Sequence, residues 1–188
     1  MELILASNSP RRKELLLNAG FAFKVISSDY EEKSFCSDPY KTATTFAFNK
    51  ANSVFNCLEN KENVAVLGSD TVVYFDGKIL GKPQDELEAV NMLKSLSNKK
   101  HLVITGFAII TKDKTIVDYD ESQVIFSNLD DEKIRAYIKS GLYKGKAGAY
   151  GIQDAGFNLV KEHSGSLTNI IGLPIEKVEK ALNEILFK

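Results

Sequence analysis

Apolar positions along the chain fall into two rhythms, one suited to short strands and one to amphipathic helices. Residues 2–6 (ELILA) read as a first strand. Ser9 followed by Pro10 is a helix start, because Ser caps and Pro suits the first helical position. Leu15, Leu16 and Ala19 give that helix an inner face, and Gly20 ends it. FAFKVI (21–26) reads as a second strand, and the polar segment 27–38 as a loop. Asp38-Pro39 opens a long helix to about residue 58, striped by Ala43, Phe46, Ala47, Ala51, Val54 and Leu58. Lys50 lies on that same stripe, so it points inward or toward a cleft. VAVLG (64–68) and VVYF (72–75) read as two apolar strands separated by Ser69-Asp70-Thr71. Asp76-Gly77 is a hairpin signal, with KIL returning. Asp85 and Glu88 form a capping-box variant for a helix to about Leu96. Residues 101–111 and 115–126 are strand-like around a Lys112-Asp113-Lys114 turn. Asp130, Asp131 and Glu132 favour a helix start, and Gly141 suits its end. Seven of the twelve Gly lie in 141–172, an irregular region, and Pro174 opens a last helix carrying Ile175, Val178, Leu182 and Ile185. Alternating helices and strands with a hairpin-like middle imply an α/β domain with a mixed sheet.

Composition narrows the picture. A chain of 188 residues, 44% hydrophobic and 26% charged, fits one domain over 1–188 or two small lobes around a cleft. No apolar run approaches the roughly 20 residues that span a bilayer, and the N-terminus lacks the basic start of a secretory signal. A net charge of -1 argues against coating long nucleic acid. Cys36, Cys57, His101 and His163 form no local metal-binding spacing. Cys57 reads as a buried core thiol, and both His as structural or surface residues. Catalysis is therefore expected from carboxylates, Lys and Arg, with a hard oxygen-bound metal. Only 3 of the 24 cationic residues are Arg, and two of them, Arg11 and Arg12, are adjacent.

That pair sits in Ala6-Ser7-Asn8-Ser9-Pro10-Arg11-Arg12, where a strand feeds a helix N-terminus. Unpaired N–H groups and the dipole favour an anion there, and cations are uncomfortable without one. The pair is either a phosphate clamp or solvated surface. Asp70 is either a cleft-facing base or metal ligand, or a turn-forming residue bonded to nearby backbone. Lys82 in Gly81-Lys82-Pro83 either neutralises a phosphate or is solvated. The run Asp29-Tyr30-Glu31-Glu32 either supplies a Mg²⁺ ligand or is a solvated loop. The small residues around GKAGAYGIQ (145–153) either leave room for a ligand, with Gln153 reading a nucleobase edge, or form a tight structural loop.

Together these segments resemble the Maf family of nucleotide pyrophosphatases over nearly the whole chain. The likeness runs through LILASNSPRRKELL (3–16), DYEE (29–32), NKA (49–51), LGSDTVV (67–73), GKP (81–83), ITG (104–106), GKAGAYGIQDAG (145–156) and GSLTNIIGLP (165–174). The form GKAGAYGIQ is similar to the branch that hydrolyses dTTP and UTP. The resemblance implies a cytoplasmic, Mg²⁺- or Mn²⁺-dependent enzyme, often homodimeric, that cleaves a nucleoside triphosphate to a monophosphate and pyrophosphate. It implies an inosine triphosphate pyrophosphatase-like fold, with a mixed curved sheet, flanking helices and a deep cleft. It makes Asp70 the proton acceptor and gives Arg11, Thr71 and Gln153 roles in substrate choice. Ser7, Arg12, Lys50, Lys82 and Lys146 would line the phosphate site, with Glu32 and Asp70 near the metal. Two positions depart from the family pattern: Thr45 stands where many relatives carry Arg, and Asn49 where Glu often stands. The rival implied by the same resemblance is a non-catalytic nucleotide-binding regulator, because the family has been linked to septum formation.

Overall fold

The computed structural model describes residues 1–32 and 36–186, so positions 33–35 of the expected loop lie outside the described residues. The first helix, α1 (Pro10–Asn18), is capped by the Ser9 side chain, which accepts from the Arg12 N–H. Helix α2 (Pro39–Cys57) is capped by Asp38, whose carboxylate accepts from the N–H groups of Tyr40 and Lys41. In α3 (Glu86–Leu96), Asp85 accepts from the Glu88 N–H at 2.7 Å, and the Glu88 carboxylate accepts from the Gln84 N–H at 2.7 Å. This is a capping box whose return arm reaches one residue further upstream. Helix α4 (Asp131–Ser140) ends at Gly141 with φ +73°, a left-handed conformation that Gly adopts without a steric penalty. The chain closes with short α5 (Leu167–Ile171) and α6 (Ile175–Leu186). No described helix is long and apolar enough to cross a membrane.

Seven strands form one sheet: β1 (Glu2–Leu5), β2 (Phe23–Val25), β3 (Val64–Phe75), β4 (Lys78–Leu80), β5 (Lys100–Ile110), β6 (Thr115–Phe126) and β7 (Val160–Ser164). Their order is β2-β1-β3-β5-β6-β7, with β4 also paired to β3. Pairing of β1 with β2 and β3 is parallel, and every other pairing is antiparallel. The sheet is therefore mixed, as the pattern implies.

One expectation is corrected here. Residues 64–75 are a single strand rather than two, and Asp70 lies near its middle rather than at a strand end. The ladder to β5 runs unbroken from Val66↔Ile110 to Tyr74↔Leu102. Small polar residues look like a turn in sequence, but Ser69 is fully buried, its hydroxyl within hydrogen-bonding distance of the Gly106 carbonyl at 3.0 Å and the Gly172 carbonyl at 3.1 Å, either of which can take its one proton. On its other edge β3 pairs with β1 up to Leu67 and with β4 from Val73 onward. Residues 68–72 are left without a strand partner on that side. Strand side chains alternate, so Asp70 points to one face of the sheet at this gap and Thr71 to the other.

Helix α2 covers the Asp70 face. A Cβ on Gly106 would stand 2.5 Å from backbone atoms of Ala43, and one on Gly68 2.7 Å from the Ala51 nitrogen. Those glycines, under the Ala43-Ala47-Ala51 row, let α2 lie directly on the sheet. Gly106 is the register partner of Asp70, so this close approach is what brings Lys50 to the gap. Cys57, expected to be buried, is exposed. It closes α2 beyond Val54, the last buried residue of the helix, and an amphipathic phase buries a side chain only where something lies beneath it.

The Thr71 face carries two apolar clusters. Leu16, Leu173, Val178 and Leu182 pack on Leu3, Leu5, Leu67 and Phe107 at one end. Leu93, Leu96, Ile134 and Tyr137 pack on Val73, Val103 and Phe126 at the other. Each fully buried Leu or Ile contributes roughly 1.5–3 kcal/mol. Between the clusters the floor is polar, formed by Thr71 and its register partner Thr105.

Candidate active site

The gap beside β3 opens into a cavity of about 550 Å³, and each of the ten positions singled out in the sequence lines it. The loop after β1 brings Ser7, Arg11 and Arg12 to one side. The segment after β4 brings Lys82, and the 144–153 loop closes the far wall with Lys146 and Gln153.

On the α2 face, lysines and carboxylates interlock. Lys50 is buried and donates to Asp70 Oδ1 at 2.5 Å and to Glu32 Oε1 at 2.7 Å. Lys82 donates to the same Glu32 oxygen at 2.9 Å. The two acids diverge although they share an ammonium. Burial pushes the Glu32 carboxyl up, but Lys50 and Lys82 together draw it down to about 2. Burial raises the Asp70 carboxyl above the ordinary range by more than Lys50 lowers it, and the Glu32 charge adds to the rise. Asp70 is thus a stronger base than Glu32.

On the opposite face the cations are guanidiniums held by neutral oxygens. Arg12 Nε donates to the Gly172 carbonyl at 2.7 Å, and its two terminal nitrogens donate to Ser7 Oγ at 3.4 Å and Thr71 Oγ1 at 3.1 Å. Arg11 reaches the Gly145 carbonyl at 3.4 Å. Among the described residues no carboxylate pairs directly with either Arg. Thr71 Oγ1 also bonds to Thr105 Oγ1 at 3.0 Å.

The 145–154 loop is pinned from behind. Lys146 Nζ donates to Asp154 Oδ2 at 2.5 Å, and the Tyr137 hydroxyl donates to the same oxygen at 2.6 Å. Buried Tyr150 bonds to His101 Nε2 at 2.7 Å. Burial holds that imidazole at about 4, so it is neutral at pH 7. Its role there is structural; His163 is exposed. Gln153 stands exposed at the cavity rim, while Val73, Val103, Tyr150, Ile152 and Ile170 make this end of the cavity apolar.

A family model described as Maf-like protein matches residues 2–185. The chain belongs to the Maf-like protein family. Among Maf-like relatives, a dTTP/UTP pyrophosphatase of Thermoanaerobacter sp. (strain X514) is 46% identical over 180 residues, covering 95% of this chain and 93% of that one. Another protein of that name, from Bacillus thuringiensis subsp. konkukian (strain 97-27), is 44% identical over 184 residues, covering 97% and 95%. The crystal structure of a nucleoside-triphosphatase / dITP/XTP pyrophosphatase from Mycobacterium abscessus aligns over 100% of both chains at 16% identity, with a TM-score of 0.48.

Several residues that shape this Maf-like cavity receive no role of their own from the sequence, although Asp154, Thr105 and Asn169 lie within the family-like motifs. Asp154 and Tyr137 restrain Lys146 from a loop and from α4, where no periodicity links them. Thr105 and Asn169 lie under Thr71, one from a run read as a strand and the other from the glycine-rich region read as irregular. The two family departures are less consequential. Thr45 is exposed on α2 and Asn49 half-buried, and Lys50 is bridged to both acids regardless.

Proposed function

We propose that this protein hydrolyses dTTP and UTP to the nucleoside monophosphate and pyrophosphate. The observation that carries the reading is the polarity of one cavity. Its polar end gathers Arg11, Arg12, Lys50 and Lys82 around a buried carboxylate, and its apolar end is edged by Gln153. Lys146 stands between the two ends. A triphosphate and a pyrimidine differ in this same way, and the names of the relatives agree with the substrate.

The residues present suit a hard divalent cation. Among the described residues no group of three His, Cys, Asp or Glu side chains converges. Two carboxylates, Glu32 and Asp70, do meet at one ammonium. Mg²⁺ commonly takes one or two protein carboxylates and completes its shell with phosphate oxygens and water. Glu32 and Asp70 would hold it, and bound Mg²⁺ or Mn²⁺ supplies neutralisation of phosphate charge.

The chain's own groups do the rest. Arg12 presents a guanidinium already oriented by Gly172, Ser7 and Thr71, so little reorganisation accompanies phosphate binding. Arg11, Lys82 and Lys146 add charge around the β and γ phosphates. Lys50 keeps Asp70 from swinging away. Asp70 accepts a proton from water as the water oxygen bonds to the α phosphorus, and the α–β anhydride bond breaks to release pyrophosphate. Its raised affinity for protons suits that step. Gln153 offers both a donor and an acceptor to the pyrimidine edge. The same reading makes the protein a cytoplasmic homodimer, which sedimentation would check.

Pyrophosphate release from dTTP and UTP in the presence of Mg²⁺ or Mn²⁺ tests the proposal. Product with both pyrimidine nucleotides, and much less with 7-methyl-GTP, is the expected result. Nucleotide binding without product would instead favour a regulator that only senses nucleotide.

A further inference from the structure

The buried polar floor beneath Thr71 has a direction. The Thr105 hydroxyl donates to the backbone carbonyl of Asn169 at 2.8 Å. A hydroxyl has one proton to give. In the 3.0 Å contact between Thr71 and Thr105, Thr71 must therefore be the donor. With its own proton committed, Thr71 faces Arg12 as an acceptor only, at 3.1 Å. The chain reads Arg12 to Thr71 to Thr105 to the Asn169 carbonyl. The far end is rigid. Asn169 is fully buried, and its side-chain amide donates to Val103 O at 3.0 Å and Ser122 Oγ at 2.9 Å while accepting from the Thr105 N–H at 3.2 Å. Three residues on, the Gly172 carbonyl takes Arg12 Nε directly at 2.7 Å.

We infer that Thr105, anchored on α5, is a positioning residue for the phosphate-binding Arg12, and that Thr71 serves the guanidinium as an acceptor rather than offering its proton to the substrate. The inference rests on the proposed function, because it assigns Arg12 a phosphate to hold. α5 and its C-cap Gly172 grip the guanidinium by two arms, one direct from Gly172 and one relayed from Asn169 through two hydroxyls. Val at position 105 would keep the shape and remove the relay. Ser would keep the hydroxyl.

Inorganic tripolyphosphate, used as a competitive inhibitor of dTTP hydrolysis, probes the phosphate arm without a base. In Thr105→Val, its Ki and the KM for dTTP are expected to rise together by about five- to tenfold, the scale of one hydrogen bond, with kcat little changed. Thr105→Ser is expected to stay within about twofold of wild type. In an Arg12→Ala background, Thr105→Val should have no further effect on Ki, since the two residues act as one unit. If Thr105→Val does not fold, Thr71→Val breaks the same relay one link earlier and is judged by the same cycle. An unchanged Ki in Thr105→Val, or an equal loss with and without Arg12, overturns the positioning role while dTTP hydrolysis by the wild type stands. A wild-type protein that neither hydrolyses dTTP nor binds tripolyphosphate overturns the reading of the cavity, and the positioning role with it.

Discussion

The two faces of β3 at the gap solve the problem of holding positive charge in different ways. On the α2 face, Lys50 and Lys82 are tied to Glu32 and Asp70. A ligand arriving there meets a nearly neutral set that must be opened before it can bind. On the Thr71 face, the side-chain hydrogen bonds of Arg11 and Arg12 among the described residues go to carbonyl and hydroxyl oxygens. No described carboxylate pairs with either charge, and the geometry of Arg12 is fixed by three bonds before any anion arrives. Arginine suits the second task, because its planar fork can satisfy several neutral acceptors and still present an edge. Lysine suits the first, since a flexible stem lets the ammonium move from carboxylate to phosphate. Under the proposed function, the difference separates two jobs in one cavity: the Thr71 face would hold phosphate, and the α2 face would keep Asp70 ready for chemistry.

That division can be broken, and the largest effect should come from the α2 face. Asp70→Asn is expected to lower kcat by about 10²–10⁴, the usual contribution of a general base, with nucleotide affinity largely retained in calorimetry. Near-normal turnover would remove Asp70 from the chemistry. Arg12→Ala, on the other face, should act on binding, raising KM for dTTP by roughly 10- to 100-fold as charge-assisted bonds are lost. Equal losses in kcat and KM would erase the distinction between the faces. Arg11→Ala should be milder, about five- to tenfold in KM or a changed preference among nucleotides, as its single 3.4 Å contact leaves it less anchored.

The smallest effects concern pH. Asp70 must be ionised to accept a proton, so kcat/KM should fall as pH drops through a value above the ordinary carboxylate range. A profile flat down to pH 4 would argue against the base assignment. Stability should respond oppositely at the two acids. Glu32 is depressed from 4.5 to about 2, so its ion pairs stabilise the fold fully above pH 4.5, and that contribution is lost as pH falls toward 2. Asp70 is raised, so its ionisation costs stability, and protonation relieves that cost as pH falls. Glu32→Gln should therefore lessen the loss of melting temperature on acidification, and an unchanged acid limb would count against the Glu32 ion pairs.

Much of this arrangement was legible before any coordinates. The phase of Lys50 on α2 announced an inward lysine, because a 3.6-residue period fixes a face whatever lies across from it. The unusual pair Arg11 and Arg12 at a helix start marked residues that both line the cavity. Residues 68–71 misled, because small polar residues signal a turn when isolated. Here they are a mid-strand stretch whose smallness admits α2 and whose polarity serves Arg12. Cys57 misled for the converse reason, as phase alone does not reveal where the support under a helix ends. The Asp154–Lys146 and Thr105–Asn169 contacts are tertiary, and no local pattern encodes them.

The bond from Arg12 to Gly172 spans 160 residues. Synthesis at about 5–20 residues per second leaves Arg12 without that partner for roughly ten to thirty seconds after it is made. Early strands and helices of the nascent chain can form in that interval, but the anchored guanidinium cannot. Arg12 therefore gains this anchor only once Gly172 has been made, and a chain released before Gly172 carries every acid and lysine of the α2 face without a guanidinium fixed opposite them.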